Sequence, residues 1–339
     1  MNEVEISVIV PIHNEESKLN KCLDSVFNQS FKSYEIILIL DSSSVLSLNI
    51  VNEYKNKYSD KACKIYEVSY LDPGETRNFG LSKASGRYIY FVDGDDYINY
   101  DTLQNLYLKA ITFDVDLLIS NYFIELEVSK KKKSSLMYKL QLEGLVSKTK
   151  ILKRVIKDLY LRGYIWNKLF KKEIIDKYNI KFPSNKIAIE DRPFLINFIL
   201  HSNNIYINKT KTYTYVQHVS SYVKSTSKLD FMQKYINSDF LVKVLLMKEH
   251  LFNKLDYKKL LTYRKNSLIN DAKRLEKIMD YKNHPIVKLV DKELNLLYSK
   301  KLYVYNAPFS ETLSYFDDIS DLHPLKTKRG IIKSLKDLK

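Results

Sequence analysis

Only seven glycines occur in the 339 residues of this sequence, and they form neither of the Gly-rich loops that commonly cradle phosphates. The G-x-G-x-x-G pattern of dinucleotide-binding proteins is absent, and so is the G-x-x-x-x-G-K-[ST] pattern of P-loop proteins. If the chain binds a diphosphate, a metal ion or side chains must therefore neutralise its charge.

Cysteine is also scarce, with only Cys22 and Cys63 in the chain. Their spacing matches neither a zinc site nor a disulfide framework, which is typical of proteins in a reducing compartment. No run approaches the roughly 18 apolar residues of a membrane-spanning helix, and the N-terminus lacks the basic and apolar regions of a secretory signal. We therefore expect a cytoplasmic protein, with peripheral contact to the inner face of the cell membrane left open.

Acidic residues are outnumbered, because 55 Lys and Arg face 40 Asp and Glu, which gives a net charge of +15. Only eight of the cations are Arg, so diffuse attraction to an anionic partner is favoured over bidentate base recognition. Nucleotides, anionic glycans and membrane headgroups all fit this charge, and genome bias alone would also produce it. The 45% apolar content predicts a globular fold, and the length allows two domains.

Apolar runs separated by segments of helical spacing predict an α/β fold with a parallel sheet. The predicted strands are residues 6–10, 34–40, 88–92 and, more weakly, 63–69. Further strand-like segments follow at 115–126, 205–207 and 212–216. The predicted helices include one that opens at Pro73 after Asp72 and ends at Lys83, one that begins after Ser44, and further helices at 101–111, 151–161, 171–178 and 187–201. The basic run at residues 130–133 is interpreted as a solvated loop tip.

An acidic cluster follows the strand at residues 88–92, where Asp93 and Asp95 lie on either side of Gly94. Open α/β sheets bind ligands at the carboxyl ends of their strands, and two carboxylates suit Mg²⁺ or Mn²⁺. The alternative is an ordinary turn, since Asp and Gly are common turn residues.

Five ordered segments in the first hundred residues together resemble the donor-binding half of family 2 glycosyltransferases. They are residues 8–16, 22–31, 35–41, 74–81 and 86–96. The resemblance implies a GT-A fold, which is a Rossmann-like α/β fold with a mixed, mainly parallel sheet flanked by helices, here with a C-terminal helical appendage. The implied domains are a GT-A catalytic domain at 1–222, divided into a nucleotide-sugar-binding half at 1–112 and an acceptor half at 113–222, and a helical add-on region at 223–339.

The same resemblance implies the donor-site residues. Asp41 would hydrogen-bond the base, Asp93 would lie near the ribose and the metal, and Asp95 would ligate the metal, which is Mn²⁺ or Mg²⁺. The full implied nucleotide-binding set is Pro11, His13, Asn14, Glu15, Asp41, Arg77 and Asp93, with Arg77 facing the diphosphate. Leu40 and Ser42 depart from the family pattern, which usually has an acid and a glycine at these positions.

On the acceptor side, Glu190 and Asp191 resemble the family's acidic pair at the start of a helix. By that match Asp191 is the general base, and the helix dipole is expected to keep it ionised. Simple helix capping is the alternative. Glu190, Trp166, Asn167 and Lys168 are implied to contact acceptor or donor sugar, the alternative for Trp166 being a core position, and His218 is a weaker candidate metal ligand.

The predicted function is inverting, metal-assisted transfer of a hexose or N-acetylhexosamine from a nucleotide-sugar, by family habit a UDP-sugar such as UDP-galactose or UDP-glucose. The acceptor is a hydroxyl of a growing surface polysaccharide or glycoprotein glycan, with a lipid-linked form left open. The helical region could bind acceptor, a second copy of the chain, or membrane through residues 326–339, whose apolar face could equally pack on the protein's own core. A nucleotidyltransferase and a non-catalytic nucleic-acid- or glycan-binding protein are the alternatives, although no nucleic-acid-binding motif is present.

Overall fold

A computed structural model describes residues 3–134, 142–156, 163–183 and 189–217, together with isolated helical positions between residues 242 and 295. The strands are β1 (Ile6–Ile12), β2 (Tyr34–Asp41), β3 (Ala62–Val68), β4 (Tyr88–Phe91), β5 (Tyr97–Ile98), β6 (Leu117–Leu126), β7 (Lys132–Ser134), β8 (Gly144–Val146), β9 (Lys168–Lys171) and β10 (Ile205–Gln217). The helices are α1 (Glu16–Phe27), α2 (Val45–Lys57), α3 (Pro73–Lys83), α4 (Thr102–Thr112), α5 (Lys148–Ile156), α6 (Lys172–Lys177) and α7 (Asp191–His201).

The strands within these ranges form one mixed sheet in the order β3-β2-β1-β4-β9-β6-β10-β5, with β7 beside β6 and β8 beside β10. The first four strands are parallel, and so is the long pair of β6 and β10. Every residue of β2 and of β4 is buried, because helices cover the sheet. The mainly parallel α/β sheet expected from the sequence is therefore confirmed.

Strand β9 joins the two parallel parts of the sheet. It pairs antiparallel with β4 on one side and with β6 on the other. Because β9 is antiparallel to β4, the residues that precede β9 in the sequence are held beside the carboxyl end of β4. The insertion of β9 between β4 and β6 therefore brings residues from the second half of the chain next to the donor-binding half.

Local capping explains two helix starts that the sequence predicts. The Asp72 carboxylate accepts hydrogen bonds from the backbone N–H groups of Gly74 (2.9 Å) and Glu75 (3.3 Å), and Pro73 occupies the first helical position of α3. The Ser44 hydroxyl accepts from the backbone N–H of Ser47 at 3.2 Å and so caps α2.

Three differences from the predicted elements are clear. Part of the predicted loop at 130–133 is strand β7, whose exposed residues pair with β6. The two extended segments predicted near residues 205 and 212 are one continuous strand, β10, with irregular register between Asn208 and Tyr213. Strands β5, β8 and β9 were not predicted, because each is only two to four residues long.

The chain divides into two compact units, one of Met1–Asn185 with Glu190–Ser221 and one of Lys186–Ile189 with Tyr222–Lys339. In the second unit the described positions between 242 and 295 are helical, and some of them, such as Val242 and Leu268, are buried. No helix among the described residues is long and apolar enough to span a membrane. The add-on at 223–339 as a domain, and the amphipathic segment at 326–339, stay predictions that lie largely outside the described residues.

Candidate active site

The predicted donor-site residues lie at one edge of the sheet. Strand β1 pairs in parallel with both β2 and β4, so the residues that follow these three strands are neighbours in space. They include Pro11, His13, Asn14 and Glu15 from the end of β1, Asp41 from β2, and Asp93 and Asp95 after β4. Ligands of open α/β sheets bind at such an edge.

Asp41 is surrounded by hydrogen-bond donors from the protein itself. Oδ1 accepts from the backbone N–H of Tyr70 (2.8 Å) and of Leu71 (2.9 Å), and Oδ2 accepts from the backbone N–H of Asp72 (3.2 Å) and the Thr76 hydroxyl (2.6 Å). Burial opposes its ionisation, but these hydrogen bonds outweigh burial and lower the pKa of Asp41. Asp41 therefore fixes the turn that leads into α3, and its contact with a nucleotide base stays a prediction.

The loop after β1 is held against the end of β2. His13 is exposed, and its ring donates from Nδ1 to the backbone carbonyl of Asp41 at 2.7 Å. Asn14 adopts φ 52° and accepts a hydrogen bond from the backbone N–H of Ser44 at 3.0 Å. Glu15 pairs with Lys18 at 3.2 Å. The His13 ring thus has a fixed orientation at the predicted nucleotide pocket.

The acidic turn after β4 is tied to β10 by two residues that the sequence did not single out, Asp96 and Tyr213. The Tyr213 hydroxyl donates to Asp96 Oδ2 at 2.7 Å and accepts from the backbone N–H of Asp93 at 3.2 Å. The backbone N–H of Val216 donates to Asp96 Oδ1 at 2.7 Å. Burial, followed by the charges of Asp95 and Asp93, raises the pKa of Asp96. Asp96 therefore shapes the turn that presents Asp93 and Asp95.

Asp93 and Asp95 offer hard oxygen donors from a single turn, and this donor set fits Mg²⁺ or Mn²⁺ when substrate phosphates and water supply the remaining ligands. Among the residues that the structure describes, no group of three or more His, Cys, Asp or Glu side chains is arranged to hold a metal ion. His218, the third predicted ligand, lies outside the described residues. The two aspartates thus remain the candidate metal ligands.

Arg77 joins the donor turn to the start of α7. Its guanidinium donates from Nη2 to Asp93 Oδ1 at 3.0 Å and from Nη1 to Glu190 Oε1 at 2.7 Å, and Nη1 lies 3.7 Å from Asp191 Oδ1. Burial disfavours the cation, but the charges of Asp191, Asp93 and Glu190 outweigh it and raise the pKa of Arg77. The donor-site and acceptor-site acids predicted from the sequence are therefore brought together by one arginine.

The Asp191 side chain is 13% exposed, and its buried Oδ1 accepts no hydrogen bond from any residue within the described ranges. Burial raises the pKa of Asp191 to about 8, against the opposing charge of Arg77 and with support from Glu190 and Asp93. The expectation that the helix dipole keeps this carboxylate readily ionised is thus wrong for the metal-free protein, because desolvation dominates. The Glu190 side chain makes no capping hydrogen bond, so capping does not explain the acidic pair.

Trp166, Asn167 and Lys168 are all buried beside this cluster. The Trp166 ring stacks on Tyr213 at 4.4 Å and on the half-buried Tyr164 at 5.0 Å. The Lys168 ammonium donates to the Tyr164 carbonyl and to Asn167 Oδ1, and burial lowers the pKa of Lys168 to about 7 while the charge of Asp191 opposes that shift. Their predicted sugar contacts stay predictions, since all three side chains already have partners in the protein interior.

Comparison with known proteins gives a consistent picture. The sequence model described as "Glycosyl transferase family 2" matches residues 7–179. A cholesterol galactosyltransferase of Borreliella burgdorferi is 30% identical over 259 residues, which are 75% of this chain and 70% of that protein. The poly(ribitol-phosphate) β-N-acetylglucosaminyltransferase TarP of Staphylococcus aureus is 33% identical over 213 residues, 62% of each chain. The matched stretch spans 70% of the cholesterol galactosyltransferase and 30% of another relative, the glycosyltransferase GlyA of Streptococcus pneumoniae.

Solved structures support the same fold. Residues 1–349 of S. aureus TarS in complex with UDP-GlcNAc align over 98% of this chain and 92% of that chain with a TM-score of 0.65 and 20% identity. The mannosyltransferase PcManGT of Pyrobaculum calidifontis, in complex with GDP-Man and Mn²⁺, aligns over 96% of this chain and 88% of that chain with a TM-score of 0.54 and 13% identity. Taken with the matched family segment, these likenesses show that the chain belongs to glycosyl transferase family 2 and has its GT-A fold.

Proposed function

We propose that this protein transfers a hexose or N-acetylhexosamine from a UDP-sugar to a hydroxyl of a growing glycan, with inversion at the anomeric carbon and with Asp191 as the general base. The observation that carries the proposal is the Arg77 cluster, in which Asp191, whose Oδ1 accepts no hydrogen bond from the described residues, is linked through Arg77 to Asp93 of the donor turn. A base and a diphosphate site at one sheet edge are the two requirements of a single-displacement transfer.

The donor would lie along the ends of β1, β2 and β4. His13 presents a fixed exposed ring to a base, and the Asp93 turn lies next to it where the ribose and diphosphate would follow. The UDP-GlcNAc bound in TarS supports a UDP-sugar donor here. The choice among galactose, glucose and their N-acetyl derivatives is left open by the proposal.

In the transfer step, Asp191 Oδ1 accepts the proton of the acceptor hydroxyl while that oxygen forms a bond to the anomeric carbon. The bond from this carbon to the diphosphate oxygen breaks on the opposite face, and the diphosphate leaves with the electron pair. A raised pKa makes Asp191 a stronger base than an ordinary carboxylate, which favours proton transfer from a hydroxyl. Beside Asp191, the Arg77 guanidinium forms ion pairs with Glu190 and Asp93 and so offsets their negative charges.

Asp93 and Asp95 would hold Mn²⁺ or Mg²⁺, which supplies positive charge at the departing diphosphate when it is bound. The Mn²⁺ present in the PcManGT structure supports this assignment. His218 stays a candidate third ligand.

The acceptor is proposed to be a surface polysaccharide, because the names of TarP and TarS describe them as N-acetylglucosaminyltransferases that act on poly(ribitol-phosphate). A cytoplasmic location, with possible recruitment of lipid-linked glycan to the inner membrane face or dimer formation through residues 223–339, belongs to the same proposal. It rests on the sequence alone.

The experiment is a transfer assay with UDP-galactose, UDP-glucose, UDP-GlcNAc and UDP-GalNAc, with UDP release and product NMR as readouts. We expect one donor to be preferred, the product to have inverted configuration, and Asp191→Asn to abolish transfer. Asp176→Asn is the matched control, because Asp176 is an exposed carboxylate on α6 whose ion-pair partner among the described residues is Lys172. Retained configuration, or substantial transfer by Asp191→Asn, would remove Asp191 from the role of base.

A further inference from the structure

Helix α3 presents Gly74, Arg77 and Asn78 on one face, and all three contact the chain that leads to the proposed base. Residues three and four positions apart lie on the same side of a helix. The family resemblance implies that Arg77 faces the donor diphosphate. Its contacts point elsewhere, because both terminal nitrogens of its guanidinium are already bound to carboxylates.

We propose that α3 positions the base, with Arg77 and Asn78 holding the start of α7 against the donor turn, so that both act as positioning residues and Arg77 is not a ligand of the diphosphate. The proposal rests on the function proposed above, in which Asp191 is the base. Helix α3 would thus couple the two halves of the site, the donor turn and the start of α7.

The first connection is the Arg77 fork. One side of the guanidinium binds Asp93, a candidate metal ligand of the donor turn, and the other binds Glu190, the residue before Asp191. Arg77 is 7% exposed, so its guanidinium is largely removed from water, and its charge-assisted hydrogen bonds to the two carboxylates add geometric specificity. A planar guanidinium can bridge two carboxylates in fixed directions, whereas an ammonium cannot.

The second connection runs through Asn78 and touches none of the acids. The Asn78 amide donates to the Phe182 carbonyl at 3.0 Å and accepts from the Phe182 backbone N–H at 2.8 Å, as a neighbouring β-strand would. The Phe182 ring stacks on Phe194 of α7 with 3.9 Å between centroids and an interplanar angle of 1°. Asn78 therefore holds α7 through an aromatic pair.

Gly74 shows how closely α3 approaches this segment. A Cβ atom at Gly74 would lie 2.5 Å from the backbone carbonyl oxygen of Pro183, a distance that real side chains do not adopt. Glycine is needed here because of this backbone contact, and Pro183 follows Phe182 directly. Three residues on one face of α3 thus contact described residues that precede Asp191 in the sequence, namely Phe182, Pro183 and Glu190.

The test separates positioning from phosphate binding by measuring kcat, the Kd of UDP and the Kd of uridine. For Arg77→Lys we expect kcat to fall by about 10²-fold, the loss associated with a base misplaced by about 1 Å, while the Kd of UDP changes less than twofold. For Asn78→Ala we expect kcat to fall at least tenfold with the Kd of UDP unchanged. Asn28→Ala is the control, because Asn28 is an exposed amide at the end of α1 that bonds only locally and to Tyr58.

A diphosphate ligand would behave differently. If Arg77→Lys weakens UDP binding tenfold or more while uridine binding is unchanged, Arg77 contacts the diphosphate and the proposal is overturned. If Asn78→Ala keeps the wild-type kcat, the second connection is refuted. Unchanged UDP binding by a variant also shows that it is folded. Failure of the wild-type protein itself to bind UDP or transfer sugar would refute the proposed function instead.

Discussion

Replacement of Asp191 by asparagine should abolish transfer and, in the metal-free protein, make the fold more stable at neutral pH. The unfolded chain ionises this carboxyl near the ordinary value of 3.8, whereas burial raises its folded pKa to about 8. The native state therefore binds the Asp191 proton more tightly than the unfolded chain does. As a result, the free energy of unfolding falls as pH rises from the unfolded pKa to the folded pKa. Asparagine mimics the protonated acid and removes that penalty.

The size of the effect follows from the same shift. At pH 7 the pH lies about three units above the unfolded pKa, and each unit costs the folded state roughly 1.4 kcal/mol. The stabilisation gained by Asp191→Asn therefore has an upper limit of about 4 kcal/mol. Loss of the attraction between Arg77 and Asp191 subtracts from this gain, so we expect a stabilisation of about 1–3 kcal/mol. For a unit of this size, that corresponds to a rise in Tm of about 2–4 °C per kcal/mol.

The assay is thermal and urea unfolding of wild type, Asp191→Asn and the control Asp176→Asn in the presence of a chelator, at pH 4 and pH 7. The wild type and Asp191→Asn should differ at pH 7 and converge at pH 4, where the wild-type carboxyl is protonated in the native state. A variant less stable than wild type at pH 7 would show that the Arg77 ion pair outweighs desolvation. A gap of equal size at both pH values would show that ionisation of Asp191 is not its cause.

Three further predictions follow from the site. Tyr213→Phe removes the hydroxyl that bridges Asp96 and the Asp93 backbone, and should cost about 1–3 kcal/mol in urea unfolding; a loss below about 0.5 kcal/mol would contradict the bridge. Gly74→Ala should destabilise the protein by about 1–3 kcal/mol, because its Cβ would meet the Pro183 carbonyl at 2.5 Å, and unchanged unfolding would refute that close approach. At saturating donor, the transfer rate should rise with pH toward about 8 as Asp191 ionises, whereas a flat profile from pH 6 to 9 would argue against a titrating base.

The donor half was predictable because its signals are local. A buried strand followed by Asp93 and Asp95 identifies the acidic turn, and Asp72 before Pro73 identifies the start of α3. Parallel pairing of β1 with both β2 and β4 then brings the predicted residues to one edge. Each of these predictions uses only residues that are close in sequence and the general geometry of parallel sheets.

The connections between the two halves were not predictable, because they join residues far apart in sequence. Arg77 and Glu190 are 113 positions apart, and Tyr213 and Asp96 are 117 positions apart. No periodicity encodes such pairs, since they depend on β9 inserting antiparallel between β4 and β6. Asp96 did carry a weak signal as the third acid of its cluster. The raised pKa of Asp191 also follows from burial, which the amino-acid pattern around it did not reveal.

The most direct test of the account is calorimetric titration of the protein with UDP, GDP and dTDP, each with and without Mn²⁺. We expect selective binding of UDP that is strengthened by Mn²⁺, because in the proposed site the edge formed by β1, β2 and β4 holds the nucleotide and the Asp93 turn supplies the metal ligands. Binding of none of the three nucleotides in either condition would contradict it and would leave a family 2 fold without a working donor site.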